Sequence, residues 1–102
     1  MKLNEFNNVE YYLGENAQDN WNLFDKSKEI NENYIWFHLN SFASPYVIMY
    51  ATMDDIKTMS ESYLNYGANL CLNNSKYSYL RDTKIIYNEL KKLNKGSKVG
   101  DI

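Results

Sequence analysis

The sequence predicts an α+β domain: a small mixed or largely antiparallel sheet, one main helix packed on it, and a short N-terminal helix. Three observations predict this. Two runs, Tyr34–Leu39 and Tyr46–Tyr50, are dense in β-branched and aromatic residues and are joined by a connector of hairpin length. Beyond them, apolar residues recur at intervals of three and four from Ile56 to Cys71, the signature of one helical stripe. The chain has 102 residues, 44% hydrophobic and 16% aromatic, which suffices for one core and leaves no room for a second domain.

Residues 1–8 are polar and rich in Asn, and they predict a loose start. Val9 to Leu13 is a short β-type run that stops at Gly14, a turn signal. Asn16 to Asp25 carries Ala17, Asn20, Trp21 and Phe24 at helical spacing and predicts a short helix, with residues 27–33 as a charged connector. Tyr34–Leu39 gives the strongest strand signal and Tyr46–Tyr50 the next; Pro45 stands just before the latter, where it costs no ladder bond. Alternation places Tyr34, Trp36 and His38 on one face and Ile35, Phe37 and Leu39 on the other. Both faces are apolar, so the sheet is either covered twice or keeps an aromatic face for a partner.

Thr52-x-x-Asp55 resembles a capping box and predicts that the main helix begins at Thr52. Its stripe runs Ile56, Met59, Tyr63, Gly67, Leu70 and Cys71, and Gly67 with Ala68 thins it enough for a close approach to the sheet. Asn73 to Ser75 ends it. Lys84–Tyr87 predicts a further strand, followed by a Lys-rich loop, and Val99–Ile102 a last clipped strand. No repeat or linker divides residues 1–102.

Several function classes fall away. No stretch approaches about 18 uninterrupted apolar residues, so no helix is expected to span a membrane. The N-terminus lacks the apolar run of a signal peptide, and the single cysteine forms no internal disulfide, so the expectation is a soluble, cytoplasmic protein. Fifteen Asn, ten Tyr, ten Lys and seven Ile, with Lys outnumbering Arg ten to one, suggest an A/T-rich genome such as that of a giant virus or a protist. The cytoplasm would then be that of a host.

The net charge of −2 hides a split. From Lys76 to Lys98, seven cations face two carboxylates and the segment is +5, while the remainder, with four Lys and eleven carboxylates, is −7. Such asymmetry is a signal for a polyanionic partner, although a solvated terminal segment has the same composition.

Four landmarks in order resemble the NFACT RNA-binding domain, a family whose larger members work in ribosome-associated quality control. They are Gly14-Glu15-Asn16-Ala17-Gln18-Asp19-Asn20 with Leu23; Ile35-Trp36-Phe37-His38; Val47-Ile48; and Ile85-Ile86-Tyr87 followed by Lys91-Lys92-Leu93 and Val99-Gly100. The resemblance covers about Val9 to Ile102. It implies RNA as partner, tRNA or ribosomal RNA, with the ribosome as context. The chain departs from the family pattern at Tyr34, where an Asp is usual, at Tyr46, where a His is usual, and at Ser44-Pro45 in the preceding turn.

The residues themselves favour binding over catalysis. His38 is the only histidine, with no nucleophile or carboxylate at a catalytic spacing and no second histidine for a metal, so neither an enzyme nor a cofactor is expected. Cys71 lies on the apolar stripe and reads as core. Lys91, Lys92, Lys95 and Lys98, assisted by Arg81, are the candidates for phosphates, since lysine is a flexible point charge rather than a reader of base edges. Trp36, His38 and Tyr46 form a candidate stacking or polar patch, although Trp36 by its type reads first as core. Docking on a ribosomal or host protein is the alternative, and DNA binding a third reading.

Overall fold

The computed structural model describes all 102 residues. Strands β1 (Lys2–Phe6), β2 (Val9–Leu13), β3 (Ile35–Leu39), β4 (Val47–Met49) and β5 (Ile85–Glu89) form one five-stranded sheet in the order β1-β2-β4-β3-β5. Every pairing is antiparallel. Helices α1 (Ala17–Ile30) and α2 (Ser60–Asn73) cover its two faces, and a single 3-10 turn, Leu90–Lys92, follows β5. The predicted α+β class, antiparallel sheet and packed main helix are all present.

The alternation along β3 decides what each helix meets. Ile35, Phe37 and Leu39 join Tyr11, Leu13, Val47, Met49 and Cys71 in the cluster under α2. Trp36 joins Tyr46, Ile48, Leu23, Phe24 and Leu90 under α1. The sheet is therefore covered twice, and no aromatic face is left bare. Full burial of a side chain the size of Phe37 is worth about 2–3 kcal/mol, so β3, buried on both sides, anchors the fold.

Four element expectations are corrected. The N-terminal segment is a strand, paired through the register Lys2↔Leu13 to Phe6↔Val9. Its turn residues Asn7 and Asn8 both take positive φ (48° and 66°), as a two-residue primed hairpin turn requires. Of this edge strand only Phe6, partly buried and stacked on Tyr66 at 4.7 Å, packs against the core cluster, so its polar sequence carries no core pattern.

Helix α1 runs on to Ile30, through residues assigned to a connector. The Asn16 side chain accepts from the Asp19 amide and starts it. Buried Ser27 continues the packed face, with its hydroxyl 2.6 Å from that of Tyr50. A polar residue on the buried face hid the last turn and a half.

The main helix begins at Ser60, not Thr52. The Thr52/Asp55 box does close, with Thr52 N donating to Asp55 Oδ2 at 2.9 Å and Asp55 N to Thr52 Oγ1 at 3.1 Å. It closes over a turn segment that buries Ile56 and breaks at Met59, whose backbone is not helical. Finally, residues 99–102 form no strand. They fold back on themselves, with Gly96 N donating to Asp101 O and Asp101 N to Lys98 O.

Candidate nucleic-acid interface

The chain after β5 forms a strap that runs antiparallel along α1. At its start, Lys28 Nζ donates to Leu93 O. Midway, Lys95 pairs with Asp25 and holds its ammonium 5.0 Å over the Trp21 ring, a cation–π contact. At its end, Trp21 Nε1 donates to Asp101 O at 2.9 Å, and the Tyr46 hydroxyl donates to Gly100 O.

This places the predicted lysines together but not equally. Lys91 and Lys92 share one carboxylate, Glu89, at 3.6 and 3.5 Å. Lys95 ties the strap to α1. Lys98 is exposed and has no carboxylate within 4 Å. The strap therefore presents Lys91, Lys92 and Lys98 to solvent, with the Lys92 side chain 60% exposed; the first two share Glu89, and the strap's own exposed carboxylate is Asp101. Exposed pairs of this kind are weak, and a phosphate competes with Glu89 for either ammonium.

Arg81 stands apart. β5 lies antiparallel to β3, with Ile85 opposite Leu39 and Glu89 opposite Ile35. Arg81 precedes that strand and Lys92 follows it, so the two flank a span of roughly 14 Å. Arg81 borders a shallow groove with Asn40, Ser41 and Lys84, away from the strap.

The aromatic patch is assembled but is not a platform. Trp36 and His38 stack in parallel, centroids 5.4 Å apart, and Tyr46 meets each edge-on at 5.6 and 5.7 Å. Trp36 is 4% exposed and Tyr46 1%, so neither offers a face for stacking. Burial pushes the pKa of His38 below its ordinary value, partly offset by the carbonyls of Leu39 and Ser44. Its Nδ1, 2.8 Å from Leu39 O, must carry the hydrogen to make that bond, which leaves Nε2 as an acceptor. A neutral ring fits a polar contact and makes no charged one at pH 7.

The landmark Gly14–Asn20 has a structural cause. Gly14 N donates to Tyr46 O, and buried Asn20 accepts from Tyr46 N through Oδ1 at 3.1 Å. A Cβ at Gly14 would overlap Asn20 Oδ1, at 1.8 Å. Together they pin α1 to the first residue of the β4 run.

A cleft of about 1040 Å³ opens beside this patch. Its walls come from the start of α1, the β3–β4 connector, the segment after α2 and residues 99–102, and they include Trp36, His38 and Tyr46. Phe42, Lys76 and Tyr77 also line it, and sequence reasoning missed all three. Phe42 and Tyr77, 35 residues apart in sequence, pair with centroids 4.6 Å apart, and nothing local to either announces it.

No family model matches the chain, and no curated protein matches it. Among solved structures, the fold is similar to the C-terminal part of the fibronectin/fibrinogen-binding protein from Streptococcus suis, with a TM-score of 0.66 and 22% identity. That similarity covers 91% of this chain and 35% of the other, so this chain spans about a third of the length of the solved chain it resembles. At this identity the likeness establishes a shared fold.

Proposed function

We propose that this chain is a non-enzymatic RNA-binding module of the NFACT RNA-binding type, acting in the cytoplasm on tRNA or ribosomal RNA. The observation that carries the reading is the strap. It carries Lys91, Lys92 and Lys98, all exposed, within one short segment of a chain whose total charge is negative. Lysine ammonium groups neutralise phosphates without reading bases, so binding is backbone-driven, weakly selective and steeply salt-dependent. Lys95, held by Asp25 and Trp21, shapes the strap and contributes less directly.

The test is fluorescence anisotropy of labelled tRNA and single-stranded RNA at several salt concentrations. With about two phosphates neutralised on a single strand, by Lys98 and one of the two lysines that share Glu89, the log–log salt slope is near −1.4. Lys92→Glu with Lys98→Glu should abolish most of the binding at low salt. Unchanged binding in that double variant removes the strap from the interface. Single-stranded DNA of the same sequence, in the same titration, separates RNA from general polyanion binding.

One observation favours a second reading, docking on a protein. β5 is an edge strand whose Ile86 and Tyr87 are exposed, Tyr87 by 50%. An apolar, unpaired edge accepts an added strand from a partner. Tyr87→Lys should then lose the protein partner and leave RNA binding intact.

A further inference from the structure

We propose that the free edge of β5 takes an extended acidic segment of a protein partner, added to the five-stranded sheet as a further strand. The proposal rests on the docking reading above and names the chemistry of the partner that the edge selects.

Backbone direction supplies the first argument. β5 ends the sheet and pairs only with β3. Lys84 O accepts from Asn40 N at 2.8 Å, and Leu90 N donates to Tyr34 O at 3.0 Å. The residues in step with these two, Ile86 and Asn88, turn their backbone groups to β3 as well. Those of Ile85, Tyr87 and Glu89 point away from the sheet. The Glu89 N–H is taken by Asn88 Oδ1 at 2.9 Å. Ile85 and Tyr87 each keep an amide and a carbonyl for an added strand.

The side chains supply the second. Ile86 is 43% exposed on the α1 side of the sheet. Tyr87 is 50% exposed on the α2 side, its ring 6.0 Å from that of Phe37. A strand laid along β5 covers both. Edge strands are commonly guarded by a Lys or a Pro within them, and Ile85–Glu89 carries neither.

Charge selects the occupant. From Arg81 to Lys92, four cations stand against two carboxylates. After the strand, Glu89 engages both Lys91 and Lys92. Before it, Arg81 and Lys84 are exposed and have no carboxylate within 4 Å, with Asp82 exposed between them. Each end of the edge is left with one net positive charge. A second copy laid antiparallel on this edge would bring one copy's Arg81 and Lys84 beside the other's Lys91 and Lys92, and like charges oppose it. A segment with a β-branched centre and carboxylates at both ends meets Ile86 and Tyr87 with its centre and the cations with its ends. The match holds in either strand direction.

The test adds two synthetic peptides to the full chain. Each has a Val-Thr-Val-Thr-Val centre, flanked in one by Asp and Glu and in the other by Lys. With the acidic peptide at low salt, the Ile85 and Tyr87 amides should shift by NMR and gain protection from hydrogen exchange, while those of β1, the other edge, stay as they are. The lysine-flanked peptide should bind about tenfold more weakly, the combined worth of a few exposed ion pairs. Tyr87→Pro removes an outward N–H without touching the β3 ladder and should abolish the protection. Arg81→Glu with Lys84→Glu, both on the surface, should weaken the acidic peptide about tenfold and strengthen the lysine-flanked one. Should Tyr87→Pro not fold, the acidic peptide N-methylated at alternate residues makes the same cut from the ligand: one of the two alternations should lose binding and the other keep it.

If both peptides bind equally and both are lost in Tyr87→Pro, the edge remains a docking site and the acidic partner is overturned. If the acidic peptide binds Tyr87→Pro undiminished, it is held by the cations alone and strand addition fails. If neither peptide protects Ile85 or Tyr87, the proposal and the docking reading fail together, and RNA binding by the strap is untouched. A chain that sediments alone as a dimer, and as a monomer when Tyr87→Pro is introduced, has a second copy on this edge, which also overturns the proposal.

Discussion

Gly67, in the middle of α2, lies directly on the ring of Phe37: a Cβ at that position would stand 2.5 Å from Cζ and 2.6 Å from Cε1. The helix reaches the central strand only because no side chain intervenes. Gly67→Ala therefore sets two effects against each other. Alanine gains about 1 kcal/mol of helix propensity. Pushing the helix off a packed ring costs about 1–3 kcal/mol, and more when backbone must shift. The ring belongs to a fully buried side chain with no room to swing, so the clash wins. Urea unfolding should show Gly67→Ala net destabilised by about 1–2 kcal/mol, and Phe37→Leu in the same chain should recover part of that loss by vacating the ring's outer edge.

The same glycine shows how much of this fold was legible. The thinning of the α2 stripe at Gly67 and Ala68 was visible in sequence, as was the alternation that separates Phe37 from Trp36. Both follow from local period. What escaped was non-local. β1 is polar and lies at an edge, so only its Asn7-Asn8 turn betrayed it. The pairing of Lys95 with Asp25 spans 70 residues and gives this candidate phosphate ligand a partner on α1. Arg81 and Lys92 fall in one basic run, yet β5 stands between them. Charge counted along a chain does not say which charges share a surface.

Glu89 tests how the strap uses its cations. It is half-buried and engages both Lys91 and Lys92, at 3.6 and 3.5 Å. Glu89→Gln removes the competing carboxylate and keeps the side chain's size. RNA affinity at low salt should rise several-fold, and the salt slope should steepen by about one, as one further phosphate is neutralised. The gain should disappear near 0.5 M salt, where screening shrinks the Debye length to about 4–5 Å. Anisotropy titrations at three salt concentrations check both effects. An unchanged slope would show that neither lysine meets phosphate.

His38 and Cys71 set the two ends of the pH range. Burial holds the folded His38 below its ordinary pKa of 6.5, so the unfolded chain binds the proton more readily. Its contribution to stability is present above about pH 6.5 and is lost as pH falls through the folded value. His38→Asn, which retains a donor for Leu39 O, should flatten the loss of stability between pH 7.5 and 5.5. At the other end, burial pushes the Cys71 thiol up to about 11 and the Tyr46 phenol to about 12, each offset in part by a neighbouring hydrogen bond. A raised pKa stabilises the fold below the unfolded value and is lost above it, so stability should decline from about pH 9 towards 12. Denaturant midpoints across that range measure both limbs. A thiol reagent at pH 8 should label Cys71 only as fast as the protein unfolds, because the sulfur is buried and protonated.

Tyr46→Phe isolates the hold of the sheet on the strap. The Tyr46 hydroxyl donates to Gly100 O from a side chain that is otherwise sealed in the α1 core. Phenylalanine keeps the ring, and with it the edge contacts to Trp36 and His38, and deletes one bond. Global stability should fall by only about 1 kcal/mol, the net worth of a single hydrogen bond. Locally the effect is larger, because the strap end has few other anchors: Trp21 Nε1 on Asp101 O and the Lys95–Asp25 pair. Trypsin cuts after lysine, and Lys95 and Lys98 both lie in this segment. Limited proteolysis of Tyr46→Phe should therefore release the segment after Lys95 or Lys98 several times faster than in the parent, while cleavage at Lys57 stays as it was. Equal rates at the strap would mean that Trp21 and Lys95 hold it without help from Tyr46.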